Sequence, residues 1–152
     1  MNGELHGLHR QATVLVAITT LVLLITALAK ILALTGDMRS LETADPVIQV
    51  FSVRQLMAIG AGLEIIVAGI GFSRLPVRIK CWALAWLSSL FLLYRFARWY
   101  LGVSEPCKCL GDVWQWLPVS RAALDAGLLA FLVVVWVGSC MGVLTRRTFL
   151  RG

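Results

Sequence analysis

Charge is what this 152-residue chain has least of: 14 Lys/Arg and 8 Asp/Glu, 14% of the residues, against 59% hydrophobic. A soluble domain of this length carries nearer a quarter charged residues, because it must present a wetted surface. Here the mean hydropathy is +0.85, and the few charges crowd between long uncharged runs. Each of the four prolines (Pro46, Pro76, Pro106 and Pro118) lies between those runs. The broken mid-membrane helices that transporters use for solute sites are therefore not expected. There are two histidines, His6 and His9, both near the N-terminus, so zinc's usual four-ligand set cannot be assembled with the cysteines further along the chain. No basic stripe with interleaved aromatics accompanies the net charge of +6, which argues against nucleic acid as a partner. No internal repeat or low-complexity segment is present. The length suits one domain, residues 1–152.

Four apolar runs stand out, at about residues 12–34, 55–72, 81–101 and 121–144. Eighteen or more apolar residues cross the roughly 30 Å hydrocarbon layer as a helix, where every backbone group must bond within its own segment. The fold expected is an all-α bundle of four transmembrane helices with membrane lipid around it. Ala27-Leu28-Ala29 resembles a signal-peptide cleavage site, but the first run is too long for a signal core. Lys30, near the end of that run, is expected to snorkel to the interface. Arg74, Arg78 and Lys80 crowd the second connection, 73–80, and Arg146, Arg147 and Arg151 the C-terminal tail. The positive-inside rule puts both on the cytoplasmic side, together with Arg10 and the N-terminus. Connections 35–54 and 102–120 then face outward, with Trp99, Tyr100, Trp114 and Trp116 as an interfacial belt. Ser120 is expected to cap the fourth helix. Small residues recur at Ala58 and Gly62, and at Ala122, Ala126 and Ala130, a spacing that lets helices approach closely in lipid.

The chemistry-bearing stretch is Pro106-Cys107-Lys108-Cys109-Leu110-Gly111. Two cysteines at i and i+2 point to opposite sides of a helix, so they act together only in a turn, which Pro106 and Gly111 favour. A disulfide across one residue departs from relaxed geometry and is more easily reduced, and Lys108 favours the thiolate. A redox pair, a static loop brace and a copper(I) site remain open on spacing alone. Cys81 and Cys140, at the other ends of their spans, are expected to be buried apolar residues. Within the membrane, Glu64, Arg95, Arg98 and Asp125 are costly unless paired. A Glu64–Arg95 pair and a local Arg121–Asp125 pair are expected. The sharper reading makes these groups the wall of a polar pocket that receives a quinone head group.

The chain resembles the MauE/DoxX-like redox-associated membrane proteins. The resemblance rests on Asp45-Pro46, on Arg54 leading into a helix with Glu64, on Tyr94-Arg95, on the Pro106-Cys107-x-Cys109-Leu110-Gly111 turn and on Asp125. It implies disulfide chemistry in the bacterial cytoplasmic membrane, acting on extracytoplasmic proteins alongside a thioredoxin-like or other thiol partner. A looser similarity exists to quinone-coupled disulfide-forming enzymes of the DsbB and vitamin K epoxide reductase type. Those use CxxC and a second outer cysteine pair. Here the first outer connection has no cysteine, so a partner must supply or take the electrons. An accessory subunit of a larger membrane complex, with the CxC turn as a brace, is the reading from a different class.

Overall fold

The structure, a computed structural model, describes residues 2–35, 42–103 and 121–149. It is all-helical: α1 (Asn2–Thr35), α2 (Val53–Phe72), α3 (Val77–Tyr100) and α4 (Arg121–Phe149). Within α1 the segment Thr13–Thr35, and the whole of α2 and α3, are long and apolar enough to cross a membrane. The fourth helix contributes the apolar stretch Ala126–Met141. The main helix pairs are α1 with α2 and α3 with α4, and contacts of α2 with α3 and of α1 with both α3 and α4 close the bundle.

Burial runs opposite to a water-soluble bundle. On α1 the exposed face is apolar throughout, with Val14, Ile18, Leu21, Ile25, Leu28 and Leu32 at alternating four- and three-residue steps. That spacing draws one stripe along a helix, and in water so large an exposed patch would drive association. Facing inward are Val16, Thr19, Thr20, Leu23, Ala27 and Lys30. Because hydrocarbon solvates leucine as well as a protein core does, the interior is held by close packing and by polar contacts. The apolar centre joins Leu23, Val67, Ala68, Cys81, Leu84, Leu87 and Val135. A Trp136 Nε1–H donates to Ser89 Oγ at 2.9 Å and ties α4 to α3.

Three helix boundaries differ from those expected by more than two residues, one of them the end of α4, which runs to Phe149 rather than 144. Apolarity predicts a first helix from residue 12, yet α1 begins at Asn2, because a helix need not end where its hydrophobic run does. The third helix begins at Val77, directly after Pro76, so the connection is the four residues 73–76 and Arg78 and Lys80 lie within α3. Lys80 Nζ reaches across to the Gly71 carbonyl at 2.7 Å, satisfying an orphan acceptor at the end of α2. That end of α2 also presses on α1: a Cβ at Gly71 would lie 2.2 Å from Thr20 Oγ1 and 3.2 Å from Thr20 Cβ. The Thr20 hydroxyl is itself committed to the Val16 carbonyl at 2.7 Å.

Gly71→Ala is therefore expected to destabilise the fold by about 1–3 kcal/mol, even though Ala favours helix by about 1 kcal/mol. Thr20→Ala in the same chain should restore most of the loss. Thermal midpoints of the purified protein in detergent measure this, and an unchanged midpoint for Gly71→Ala would contradict the packing.

Candidate functional site

The deepest polar contact joins α1 to α2. Side chains tilt toward the N-terminus of their own helix, and α1 and α2 are antiparallel. Lys30, near the C-terminal end of α1, therefore leans into the bundle, and Glu64, near the middle of α2, leans back to meet it. Lys30 Nζ donates to Glu64 Oε1, and the two residues are only 5% and 3% exposed. The ammonium also lies 5.1 Å from the centroid of the Phe91 ring on α3, within cation–π range, and faces Gly60, where a Cβ would stand 4.0 Å from it. Glu64 Oε2 is buried without a hydrogen-bond partner among the described residues. Two sequence expectations are corrected here. The ion-pair partner of Glu64 is Lys30, not Arg95. Lys30 does not snorkel, because its side-chain direction carries the charge inward and a carboxylate waits there.

A second polar contact joins the connection between α1 and α2 to α3. Residues 43–53 form a small hairpin: Asp45 N–H donates to the Phe51 carbonyl at 2.9 Å, and Val53 N–H to the Thr43 carbonyl at 3.0 Å. Asp45 Oδ1 accepts the backbone N–H groups of Val47 at 2.8 Å and Ile48 at 3.1 Å. The turn after Pro46 is thus an Asp-capped turn. Oδ2 accepts the Tyr94 hydroxyl of α3 at 2.5 Å, at the short end for a charge-assisted O–H···O bond. The Asp45 residue is 1% exposed. Burial by itself raises a carboxyl pKa, yet here the Tyr94 hydroxyl, the two backbone N–H groups and the positive charge of Arg98 outweigh it. The Asp45 pKa is held below its ordinary 3.8. Ser52 then starts α2 with a capping box: its Oγ accepts from Gln55 N–H at 3.2 Å, and Gln55 Oε1 accepts from Ser52 N–H at 2.9 Å.

The end of α3 is closed as tightly. Gly102 takes φ 67°, Gly102 N–H donates to the Trp99 carbonyl at 3.0 Å, and Val103 N–H donates to the Arg98 carbonyl at 3.1 Å. These are the two bonds of a Schellman motif, and they fix the direction in which the chain leaves toward the cysteines. Pro106, Cys107, Lys108, Cys109 and Gly111 lie outside the described residues, as do Ser120, Trp114, Trp116 and the side chain of Asp125. Of the expected cluster, Glu64 joins Lys30, while Arg98 lies by Asp45 and Tyr94. Arg95 is half-buried on the same helix. Phe91, Tyr94 and Arg98 share one face of α3 at i, i+3 and i+7, so both polar contacts reach α3 along a single stripe. Cys81 is a buried member of the apolar centre, as expected, whereas Cys140, expected to be buried too, is half-buried on α4.

Sequence reasoning missed Lys30 as a partner and gave Asp45 and Tyr94 no role beyond the resemblance. The signals were present: Asp-Pro ahead of a helix, and Ser52-x-x-Gln55 as a capping box.

A family model described as methylamine utilisation protein MauE matches residues 9–142. The chain belongs to the MauE family. No curated protein and no solved structure matches it. Membership agrees with the resemblance drawn from Asp45-Pro46, Glu64 and Tyr94-Arg95, and with the apolar helices it makes this MauE-family chain a multi-pass membrane protein.

With a folded-state pKa below 3.8, the stabilisation from Asp45 is whole above the ordinary carboxylate range. It is lost as pH falls below about 4, through the depressed folded value. Thermal midpoints of the parent and of Asp45→Asn, compared from pH 6 to pH 3, should converge at the acid end. A gap independent of pH would contradict the assignment. Tyr94→Phe, which leaves a buried acceptor with one donor fewer, is expected to cost about 1–3 kcal/mol, read as a lower midpoint at neutral pH.

Proposed function

We propose that this protein is a membrane thiol–disulfide protein acting on extracytoplasmic partners through the Cys107-Lys108-Cys109 turn. In this reading residues 1–152 form one membrane domain of the bacterial cytoplasmic membrane, with both termini inside and the cysteines on the periplasmic side. Cys107 and Cys109 exchange with a dithiol on a thioredoxin-like or other thiol protein. Two thiolates attack and leave in turn: a mixed disulfide forms with the partner and resolves to a bridge in one protein and two thiols in the other. Lys108 favours the thiolate.

The observation that carries the reading is the fixed end of α3 ahead of that turn. The Gly102 closure and the contact of Asp45 with Tyr94 hold both connections on this side at defined points of one helix. Membership of the family described as methylamine utilisation protein MauE adds support through the redox context of that system. Arg95, Arg98 and Glu64 serve as supporting intramembrane charges. With Glu64 closed onto Lys30 and 3% exposed, a quinone acceptor requires that contact to open to lipid. Asp125 is a further supporting charge near the start of α4.

A second reading, an accessory subunit of a larger membrane complex with a non-catalytic CxC brace, has its own observation. On α2 the Cα–H positions of Gly62 and Gly69 face open space, with no heavy atom within 4 Å of an added Cβ, and Ala58 is exposed one turn away. Neighbouring helices pack closely on such faces.

Thiol trapping of the purified protein across a graded glutathione series separates the two, with Cys107→Ser and Cys109→Ser as references. A reversible transition more oxidising than about −250 mV is expected, since structural bridges lie below about −300 mV. A bridge that resists reduction throughout, or thiols that never pair, would contradict the exchange reading and favour the brace.

A further inference from the structure

We infer that the hairpin 43–53 is a membrane-seated apron whose apolar tip, Ile48, Val50 and Phe51, is occupied by phospholipid at the boundary where α1 ends and α2 begins. The inference is independent of the thiol reading.

Depth is the first observation. Asp45 is bonded to Tyr94, six residues before the end of α3, or about 9 Å down its axis. The Tyr94 side chain tilts further toward the N-terminus of α3, so the anchor of the hairpin is sunk below that helix end. On the other flank, Arg54 Nη2 donates to the Leu34 carbonyl at 3.1 Å, one residue before the end of α1, which sets the start of α2 level with the last turn of a spanning helix. The hairpin is thus held beside the helices at the level of their last turns.

Composition and exposure agree with that depth. Val50 is 86% exposed, and Ile48 and Phe51 are exposed as well. Trp99 and Tyr100 at the end of α3, and Phe96 and Leu32 just inside the helix ends, are exposed as well, so the helix ends at this level are also apolar. Aromatic residues at such ends mark the interface.

Backbone chemistry is the second, independent observation. Irregular backbone enters a low-dielectric layer only where its polar groups are satisfied. Here the N–H groups of Asp45, Phe51 and Val53 go to carbonyls, those of Val47 and Ile48 to Asp45 Oδ1, and that of Ser52 to Gln55 Oε1. Pro46 has none to satisfy. Six of the hairpin's N–H groups are thus satisfied by the protein itself, while its valine and phenylalanine turn outward.

The test uses the full chain in phosphatidylcholine vesicles. A nitroxide is placed at Val50→Cys and, as a water-side reference, at Glu42→Cys, with Cys81, Cys107, Cys109 and Cys140 replaced by Ala. The label at residue 50 is expected to collide with oxygen at least threefold more than with an aqueous nickel chelate, relative to the label at residue 42. Should the cysteine-free chain fail to fold, Val50→Trp in the otherwise native chain decides. Its added fluorescence should be quenched by bromine-labelled acyl chains and not by iodide. Equal chelate access at residues 50 and 42, or iodide quenching without bromine quenching, would overturn the proposal and leave the tip facing water or a protein.

Discussion

A charge inside a membrane must find its opposite, and in this bundle the pairing of Lys30 with Glu64 is the constraint on which the arrangement of helices depends. Neither residue is tolerable alone at that depth. Together they set the relative height of α1 and α2, since each side chain leans along its own helix toward the other. The cation–π contact with Phe91 brings α3 against the same point. Apolar packing cannot supply this register by itself, because the outward faces of α1, α2 and α3 are as apolar as the centre and hydrocarbon is indifferent to a slide or rotation between them. Close approaches such as Gly71 against Thr20 then become possible at a single height.

From that pair the polar framework continues up one face of α3. Phe91 answers Lys30; Tyr94, one turn higher, holds Asp45; Arg98, another turn on, lends its charge to Asp45, and its carbonyl closes the helix end. The hairpin 43–53 and the departure of the chain after Val103 are thus referred to the same helix. On the thiol-exchange reading proposed above, such a reference would orient the cysteine pair toward its partner. A hairpin resting in lipid would steady the frame from the other flank.

Much of this was legible in the sequence and some was not, for definite reasons. The spans were readable because crossing hydrocarbon demands long uncharged runs. The start of α3 was misjudged because Arg78 and Lys80 suggest a loop, whereas a basic first turn is tolerated when Lys80 serves the end of α2. The cation facing Glu64 was misassigned because sequence gives depth but not side-chain direction. Lys30 near a helix end reads as a snorkelling residue, and only the antiparallel placement of α1 and α2 turns it inward. Asp45 and Tyr94 stand 49 residues apart, so no local pattern joins them. Cys107 and Cys109, the most chemically suggestive residues in the sequence, lie outside the described residues and keep the reading that spacing and family membership support.

The measurement that bears most directly on this framework is a double-mutant cycle across the buried pair, comparing Lys30→Met, Glu64→Leu and the double variant by thermal denaturation in one detergent. Each single change leaves an uncompensated buried charge and is expected to cost about 3–5 kcal/mol, while the double variant, apolar on both sides, should return close to the parent. Losses that simply add, with the double variant the least stable of the three, would contradict the pairing and with it the register assigned to the helices.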